Sequence, residues 1–361
     1  NPMYCIMFLP RDVSLSELLP YKQPNGQPYN IGSEFNNPYW LLNECSNGDG
    51  RNAFRGTATL NIKPFQGLTI RLRGSMESTH KNGWKFDNYY SPWDKNGYYM
   101  EFEERSSNYN YEAVAIYDTR LKKFLMDLSI NATLGTSMYK QEWNKITNEV
   151  NELAVPDVKA LSNNASILKG SKGHSGKEKQ AVFGALSLGY KGAYFDFTAR
   201  NDWSSTLPQG NNSYFYTAES FSAVLTELIP QLRNNVLSFL KLRGSIAKVG
   251  NDTGFDQLID GYSYGNLFRN TYAWYTGDNV KKNNNLKPET TVSKECGIEF
   301  RLWGDRIKGD ITYYDKRTRD QIVRTSVSYG SGYQSYIINS GEISNKGWEV
   351  ALTAVPLRFK D

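Results

Sequence analysis

Histidine, paired cysteine and long apolar runs are what this sequence has least of. Its 361 residues include two histidines, His80 and His174, in the polar stretches STHKNG and SKGHSG. They form no HExxH pair. There is also no P-loop, no GxGxxG segment and no nucleophile elbow, and Tyr329-Gly330-Ser331-Gly332 has only the composition of a turn, so no enzyme is expected. Three cysteines (Cys5, Cys45, Cys296) are odd in number and far apart. That excludes a CxxC pair and a disulfide framework, and with them a cysteine metal site; no cofactor or metal is expected. No stretch reaches the roughly 18 apolar residues of a membrane helix. The basic excess is mild, 42 Lys and Arg against 37 Asp and Glu, and it is spread along the chain. A nucleic-acid-binding stripe is therefore excluded. The opening NPMYCIMFLPRD lacks the charged, apolar and small-residue regions of a signal peptide.

What is present is aromatic and alternating. Aromatics make up 14% of the chain, with 25 tyrosines, while hydrophobic residues total 39% and mean hydropathy is −0.60. A membrane β-barrel has this polar balance, because only alternate residues meet lipid. In GIEFRLWGDRIKGDITYYDK (Gly297–Lys316) a Gly304-Asp305 turn sets Leu302 opposite Ile307, Phe300 opposite Gly309 and Ile298 opposite Ile311. All apolar side chains then share one face, and a one-residue slip would scatter them. On the other face, Arg301–Asp310 and Glu299–Lys308 are complementary diagonals. A Phe65-Gln66-Gly67 loop pairs Ile62 with Ile70 and Leu60 with Leu72, with Gly67 at a left-handed position. A Lys191-Gly192 turn pairs Leu188 with Phe195 and Leu186 with Phe197. Between 124 and 138, Phe124, Met126, Leu128, Ile130, Ala132, Leu134 and Met138 face one way, and Asp127, Ser129, Asn131 and Thr133 the other.

Eleven strands are expected near 57–64, 68–78, 109–117, 124–139, 180–190, 193–203, 214–226, 238–250, 290–303, 306–318 and 346–356. Connections at one end are short or modest; those at the other, 79–108, 140–179, 251–289 and 319–345, are long, with 204–213 the exception. This asymmetry belongs to an outer-membrane barrel rather than to a β-sandwich. The expected fold class is all-β, an antiparallel transmembrane barrel portion, with residues 1–361 as one partial barrel domain.

Several segments resemble the SusC/RagA-type TonB-dependent outer-membrane transporters. Asn285, Leu286, Lys287, Pro288, Glu289 and Thr291 follow that family's N-L-K-P-E-x-T segment, and Asp310, Thr312, Tyr314 and Lys316 its D-x-T-x-Y-x-K strand. NPYWLLNE (Asn37–Glu44), RNDWSSTLPQGNNSYFY (Arg200–Tyr216), LKLRGSIAKVGND (Leu240–Asp252) and INSGEISNKGWEV (Ile338–Val350) match in the family's order. The resemblance implies part of a barrel of about 22 strands, holding about half of them. Plug, TonB box and C-terminal strands are not visible in these residues. It also implies a SusD-like surface lipoprotein as lid, TonB acting through a plug, a surrounding bilayer with lipopolysaccharide, and glycans or peptides as substrate. A siderophore or metal-chelate receptor, a passive porin and a soluble glycan-binding β-protein are the competing readings.

Two sets of residues carry this expectation. Leu186, Leu188, Phe195, Phe197, Ile298, Phe300, Leu302 and Ile311 are expected to face lipid, and Glu299, Arg301, Lys308 and Asp310 the lumen. Trp84, Phe86, Tyr89, Tyr90, Trp93, Tyr98 and Tyr99 crowd one expected loop, and Tyr262, Tyr264, Tyr272, Trp274 and Tyr275 another. Rings with polar tips suit a sugar, a peptide or a protein lid, although packing of loop on loop uses the same residues. Asp252, Asp256 and Asp260 have the oxygen donors of a calcium site without the EF-hand order, and a solvated loop is the preferred reading.

Overall fold

The computed structural model describes residues 2–30, 36–91, 94–121, 128–264 and 275–356. In chain order its strands are β1 (Ser46–Ile62), β2 (Leu68–Asp87), β3 (Tyr98–Leu121), β4 (Leu128–Val150), β5 (Lys169–Tyr190), β6 (Ala193–Ser204), β7 (Ser213–Val224), β8 (Leu237–Asn251), β9 (Tyr262–Tyr264), β10 (Tyr275–Gly277), β11 (Val280–Lys281), β12 (Glu289–Leu302), β13 (Ile307–Arg319), β14 (Ile322–Ser326), β15 (Ser335–Asn339) and β16 (Glu342–Ala354). Eleven of them form one sheet in the order β1-β2-β3-β4-β5-β6-β7-β8-β12-β13-β16. Each long strand therefore lies beside the long strand that follows it in sequence. The five short strands occupy the connections 252–288 and 320–341.

The expected register holds where the alternation is cleanest. Leu302 pairs with Ile307, Phe300 with Gly309 and Ile298 with Ile311. Leu188 pairs with Phe195 and Leu186 with Phe197. Paired residues share a face, so the ladders can be followed from strand to strand. Ala193 pairs with Ala223, Ala223 with Leu242, and Leu242 with Ile298. Through these ladders Leu186, Leu188, Phe195, Phe197, Ile298, Phe300, Leu302 and Ile311 fall on one face of the sheet.

That face is uncharged over a considerable height. Across β8, β12, β13 and β16, successive rungs read Leu237–Leu302–Ile307–Ala354, Leu240–Phe300–Gly309–Leu352, Leu242–Ile298–Ile311–Val350 and Gly244–Cys296–Tyr313–Trp348. The opposite face of the same strands carries Lys241, Arg243, Glu299, Arg301, Lys308 and Asp310.

Four expectations need correction. The 302–307 connection is a four-residue turn, Trp303 to Arg306, with Trp303, Gly304 and Asp305 all at positive φ. The first hairpin turns over Lys63 to Gly67 rather than three residues, although Gly67 is left-handed as expected, at φ 93°. The expected diagonals are replaced by other partners: Asp310 is taken by Arg243 of β8, and Arg301 by Glu299 and Asp305. Arg243 lies across β12 at Gly297, where an added Cβ would stand 2.7 Å from its Nε. Lastly, β2 to β5 run well beyond the apolar alternation, so most of 79–108 and 140–179 is strand. Ladder hydrogen bonds need no apolar face, and a strand wet on both sides leaves no period-two signal.

Contacts group the chain into two units. One comprises residues 1–56, 76–108 and 141–176, with Phe86, Tyr99, Val150 and Leu153 as its buried core. The other comprises residues 57–75, 109–140 and 177–361, with Leu207, Tyr214, Leu286 and Ile337 at its core.

Phe300 lies over Gly309 so closely that any Cβ at 309 would overlap its ring. Gly309→Val in the complete protein is expected to cost about 1–3 kcal/mol through overpacking. A lowered denaturant midpoint in detergent checks this; an unchanged midpoint would show that the ring has room elsewhere.

Candidate functional site

The aromatic crowd of the first unit is a packed corner rather than a loop. Trp84 and Phe86 stand on β2, Tyr98 and Tyr99 on β3, and Tyr89 and Tyr90 on the turn between. Phe86 and Tyr99 are buried with Val150 and Leu153, and Trp84 and Tyr89 pack against them. Their polar tips are used internally. Tyr89 donates to the Leu153 carbonyl at 2.5 Å, Tyr98 to Glu149 at 2.9 Å and Tyr99 to Glu101 at 2.8 Å. Lys159 lies over both the Trp84 and Phe86 rings. Of the six, only Tyr90 is largely exposed. Trp93 lies outside the described residues.

Beside this corner, Asp49, Arg51, Glu77, Thr79, Lys81 and Glu104 line a cavity of about 470 Å³ with alternating charge. Phe102 is flanked by Lys81 and Lys145, each within 5.5 Å of its centroid. The segment NPYWLLNE anchors the same unit. Asn37 Oδ1 accepts from the Tyr39 and Trp40 amides that start helix Pro38–Glu44, while its Nδ2 donates to Leu18 and Tyr29 carbonyls. Burial, with Asp87 nearby, pushes the Cys45 thiol up to about 12, so it stays protonated and inert.

In the second unit the other sequence motifs meet at the base of two long connections. Leu286 of NLKPE is fully buried against Leu207, Tyr214 and Ile337. Asn211 donates to the Leu286 carbonyl. Asn339 of INSG accepts from the Lys287 amide at 2.8 Å and donates to the Lys287 and Asp320 carbonyls at 2.8 Å. Glu289 accepts from the Ile322 amide. These residues entered the reading as family marks without a role. Their signal was present in the sequence, as Asn and Gly beside strand ends, but the partners lie 52 residues apart.

A second knot sits one step away. Asp252, almost wholly buried, accepts from Lys177 at 2.8 Å, Lys179 at 2.9 Å and Ser204 at 2.5 Å. Burial alone would raise its pKa, but the hydrogen bonds from Lys177, Ser204 and Lys179 outweigh burial and hold it below the usual carboxylate range. The three loop aspartates do not converge. Asp260 instead accepts from the Lys282 amide and the Tyr333 hydroxyl. Among the described residues no three His, Cys, Asp or Glu side chains gather to hold a metal.

The two connections are also stitched to each other farther out. β11 pairs in parallel with β15, which pairs with β14. Lys281 lies over the Tyr333 and Tyr336 rings, and Asp278 is held ionised by Lys282 and the Gly261 amide. Tyr262 stands 79% exposed beside this assembly. Tyr264 and Tyr275 pair through their backbones, while Tyr272 and Trp274 lie outside the described residues. Rings, amides and paired charges of this kind can bind a polar ligand.

A family described as TonB dependent receptor-like, beta-barrel, matches residues 10–360. TonB-dependent receptor P26 of Formosa agariphila is 25% identical over 351 residues, 92% of this chain and 34% of P26. TonB-dependent receptor SusC of Bacteroides thetaiotaomicron is 30% identical over 193 residues, 50% of this chain and 19% of SusC. The RagAB peptide transporter has the same fold, with a TM-score of 0.80 at 20% identity over 90% of this chain and 36% of the transporter chain. The chain spans about a third or less of the length of these relatives.

Two outcomes are expected from the loop bases. Asn339→Ala loses three hydrogen bonds, and should make 320–341 cleave sooner under limited proteolysis while the sheet stays folded; equal cleavage rates would refute the clamp. Asp252, with its folded pKa depressed, contributes stability above its unfolded pKa of about 3.9 that is lost as pH falls through the folded value. Amide-exchange protection around Asp252 should hold from neutral pH to about 5 and fall below about 4. A loss already at pH 6 would point to another group.

Proposed function

Because this chain belongs to the TonB dependent receptor-like β-barrel family, an outer-membrane family whose members are not enzymes, we propose that it forms the wall and outer loops of a TonB-dependent nutrient importer. The substrate is an oligosaccharide or a peptide. A SusD-like surface lipoprotein closes over the loops, and TonB acts through a plug elsewhere in the complete protein. Leu186, Leu188, Phe195, Phe197, Ile298, Phe300, Leu302 and Ile311 face the lipid.

The observation that carries this reading is the division of β8, β12, β13 and β16, over four successive rungs, into an uncharged face and a densely charged one. Trp348, Val350 and Leu352 are each about 70% exposed, a patch that water would penalise and lipid welcomes. The charged face offers fixed ion pairs along the path. Arg243 bonds Asp310 at 2.8 and 2.6 Å and Thr312 at 2.6 Å. A soluble glycan-binding β-protein would leave the apolar face without a partner. SusC likeness and the RagAB fold support a lidded importer over a porin or a metal-chelate receptor.

Phe300→Arg in the complete protein is expected to cost about 2–4 kcal/mol of stability near the bilayer midplane and to lower the folded fraction in outer membranes. Unchanged insertion would sink the lipid assignment. Co-purification of the complete protein with a surface lipoprotein, and retention of oligosaccharide or peptide by that pair, tests the importer. Recovery of a lone barrel retaining a metal chelate would replace it with the receptor reading.

A further inference from the structure

The charged cavity of the first unit is built from alternate residues of β1, β2 and β3, which lie side by side in the sheet. Alternate residues of a strand share a face. Three carboxylates line it, Asp49, Glu77 and Glu104, with two cations, Arg51 and Lys81. Three of these five charges are already answered. Lys81 lies 3.4 Å from Asp49, and Arg55, at the border, holds Glu77 at 2.7 Å. The other two are not. Arg51 makes no ion pair or hydrogen bond among the described residues. Glu104 accepts the Trp143 indole N–H at 2.9 Å, and no ion pair answers its charge among the described residues. Lys145, also at the border, lies over the Phe102 ring.

We propose that this cavity binds a short extended peptide carrying both an acidic and a basic group. The inference rests on the importer reading above and chooses between its two substrate classes. The acidic group would meet Arg51 and the basic group Glu104, while the Thr79 and Ser106 hydroxyls would meet peptide N–H and C=O groups. Three observations select a peptide over an oligosaccharide. Charges of both signs are left unanswered, and a peptide supplies both. A neutral sugar supplies neither, and an acidic one would set its anions against Asp49, Glu77 and Glu104. No aromatic ring lines the cavity, so a sugar face finds no platform there. The nearby rings are buried, as Phe86 and Tyr99 are, or flanked by cations, as Phe102 is by Lys81 and Lys145. The length also fits. From Glu77 to Lys81 the wall runs four strand steps, about 13 Å, the span of about four extended residues. Because Glu104 is half-buried, a cation reaching it is less screened than one in open water.

The test uses the complete protein in detergent, with binding measured by titration calorimetry. The probes are the capped peptides acetyl-Asp-Ala-Ala-Lys-amide and acetyl-Lys-Ala-Ala-Asp-amide, their neutral counterparts with Asn and Gln, and tetrasaccharides of glucose and of galacturonic acid. The better of the charged peptides is expected to bind about tenfold more tightly than its neutral counterpart, through two new ion pairs. Arg51→Gln combined with Glu104→Gln should abolish that preference. Arg51→Glu alone should transfer it to acetyl-Lys-Ala-Ala-Lys-amide. Arg105→Gln, on the opposite face of β3, should leave it intact. Equal binding of charged and neutral peptides by the wild type overturns the proposal, as does a double variant that keeps the preference. Tighter binding of either tetrasaccharide overturns the peptide and leaves the importer standing. A double variant that loses the surface lipoprotein while peptide binding is unchanged would give the cavity to the lid and overturn the proposal. Recovery of the complete protein outside the outer membrane would overturn the importer reading beneath it, which separates the two failures.

Discussion

Pairing across the ladders is the constraint from which the rest of this structure follows. A side chain in a strand has no choice of face once its register is set. Ile298 opposite Ile311, Leu242 beside Ile298 and Val350 beside Ile311 are one decision repeated across β8, β12, β13 and β16. The same decision sends Arg243, Asp310 and Thr312 to the other side, close enough for a three-bond contact across an intervening strand. Gly297 is part of this arrangement, because a side chain there would block the guanidinium.

The long connections obey a different economy. Their described residues are held by a few buried points near the sheet. Leu286 and Asn339 fix one base, and Asp252 with its two lysines fixes another. Above those points, three short strands and the Lys281–Tyr333–Tyr336 contact join 252–288 to 320–341. A surface built this way has fixed footings and exposed tips, of which Tyr262 is one. Sequence variation can therefore occur at the tips without disturbing the sheet.

The sequence was most readable where apolar alternation was strongest. The pairings around Gly304-Asp305 and Lys191-Gly192 followed from face matching alone, and eleven sheet strands were expected and found. Reading stopped where polar residues occupy both faces. Residues 77–82 carry Glu, Thr and Lys on one face and Ser, His and Asn on the other, and 103–108 are polar throughout, so no period marks them as strand. Trp84, Phe86, Tyr98 and Tyr99 were consequently set in a loop, and their packing around Leu153 was invisible. Charge partners were also misread, since Asp310 is nearer in sequence to Arg301 but nearer in space to Arg243. The knot around Leu286 joins its own segment to three distant ones, 207–214, 320–322 and 337–339, a relation that spacing along one chain does not encode.

The central claim is that alternate residues of one strand meet lipid and water. Nitroxide labels placed one at a time at Ile311 and Thr312 of the complete protein in a bilayer test it most directly. Collision with oxygen, which concentrates in lipid, and with a water-soluble nickel chelate would be measured at each. The account predicts that the label at 311 is relaxed by oxygen and shielded from nickel, and that the label at 312 shows the reverse. The same response at both positions, or the opposite order, would contradict it.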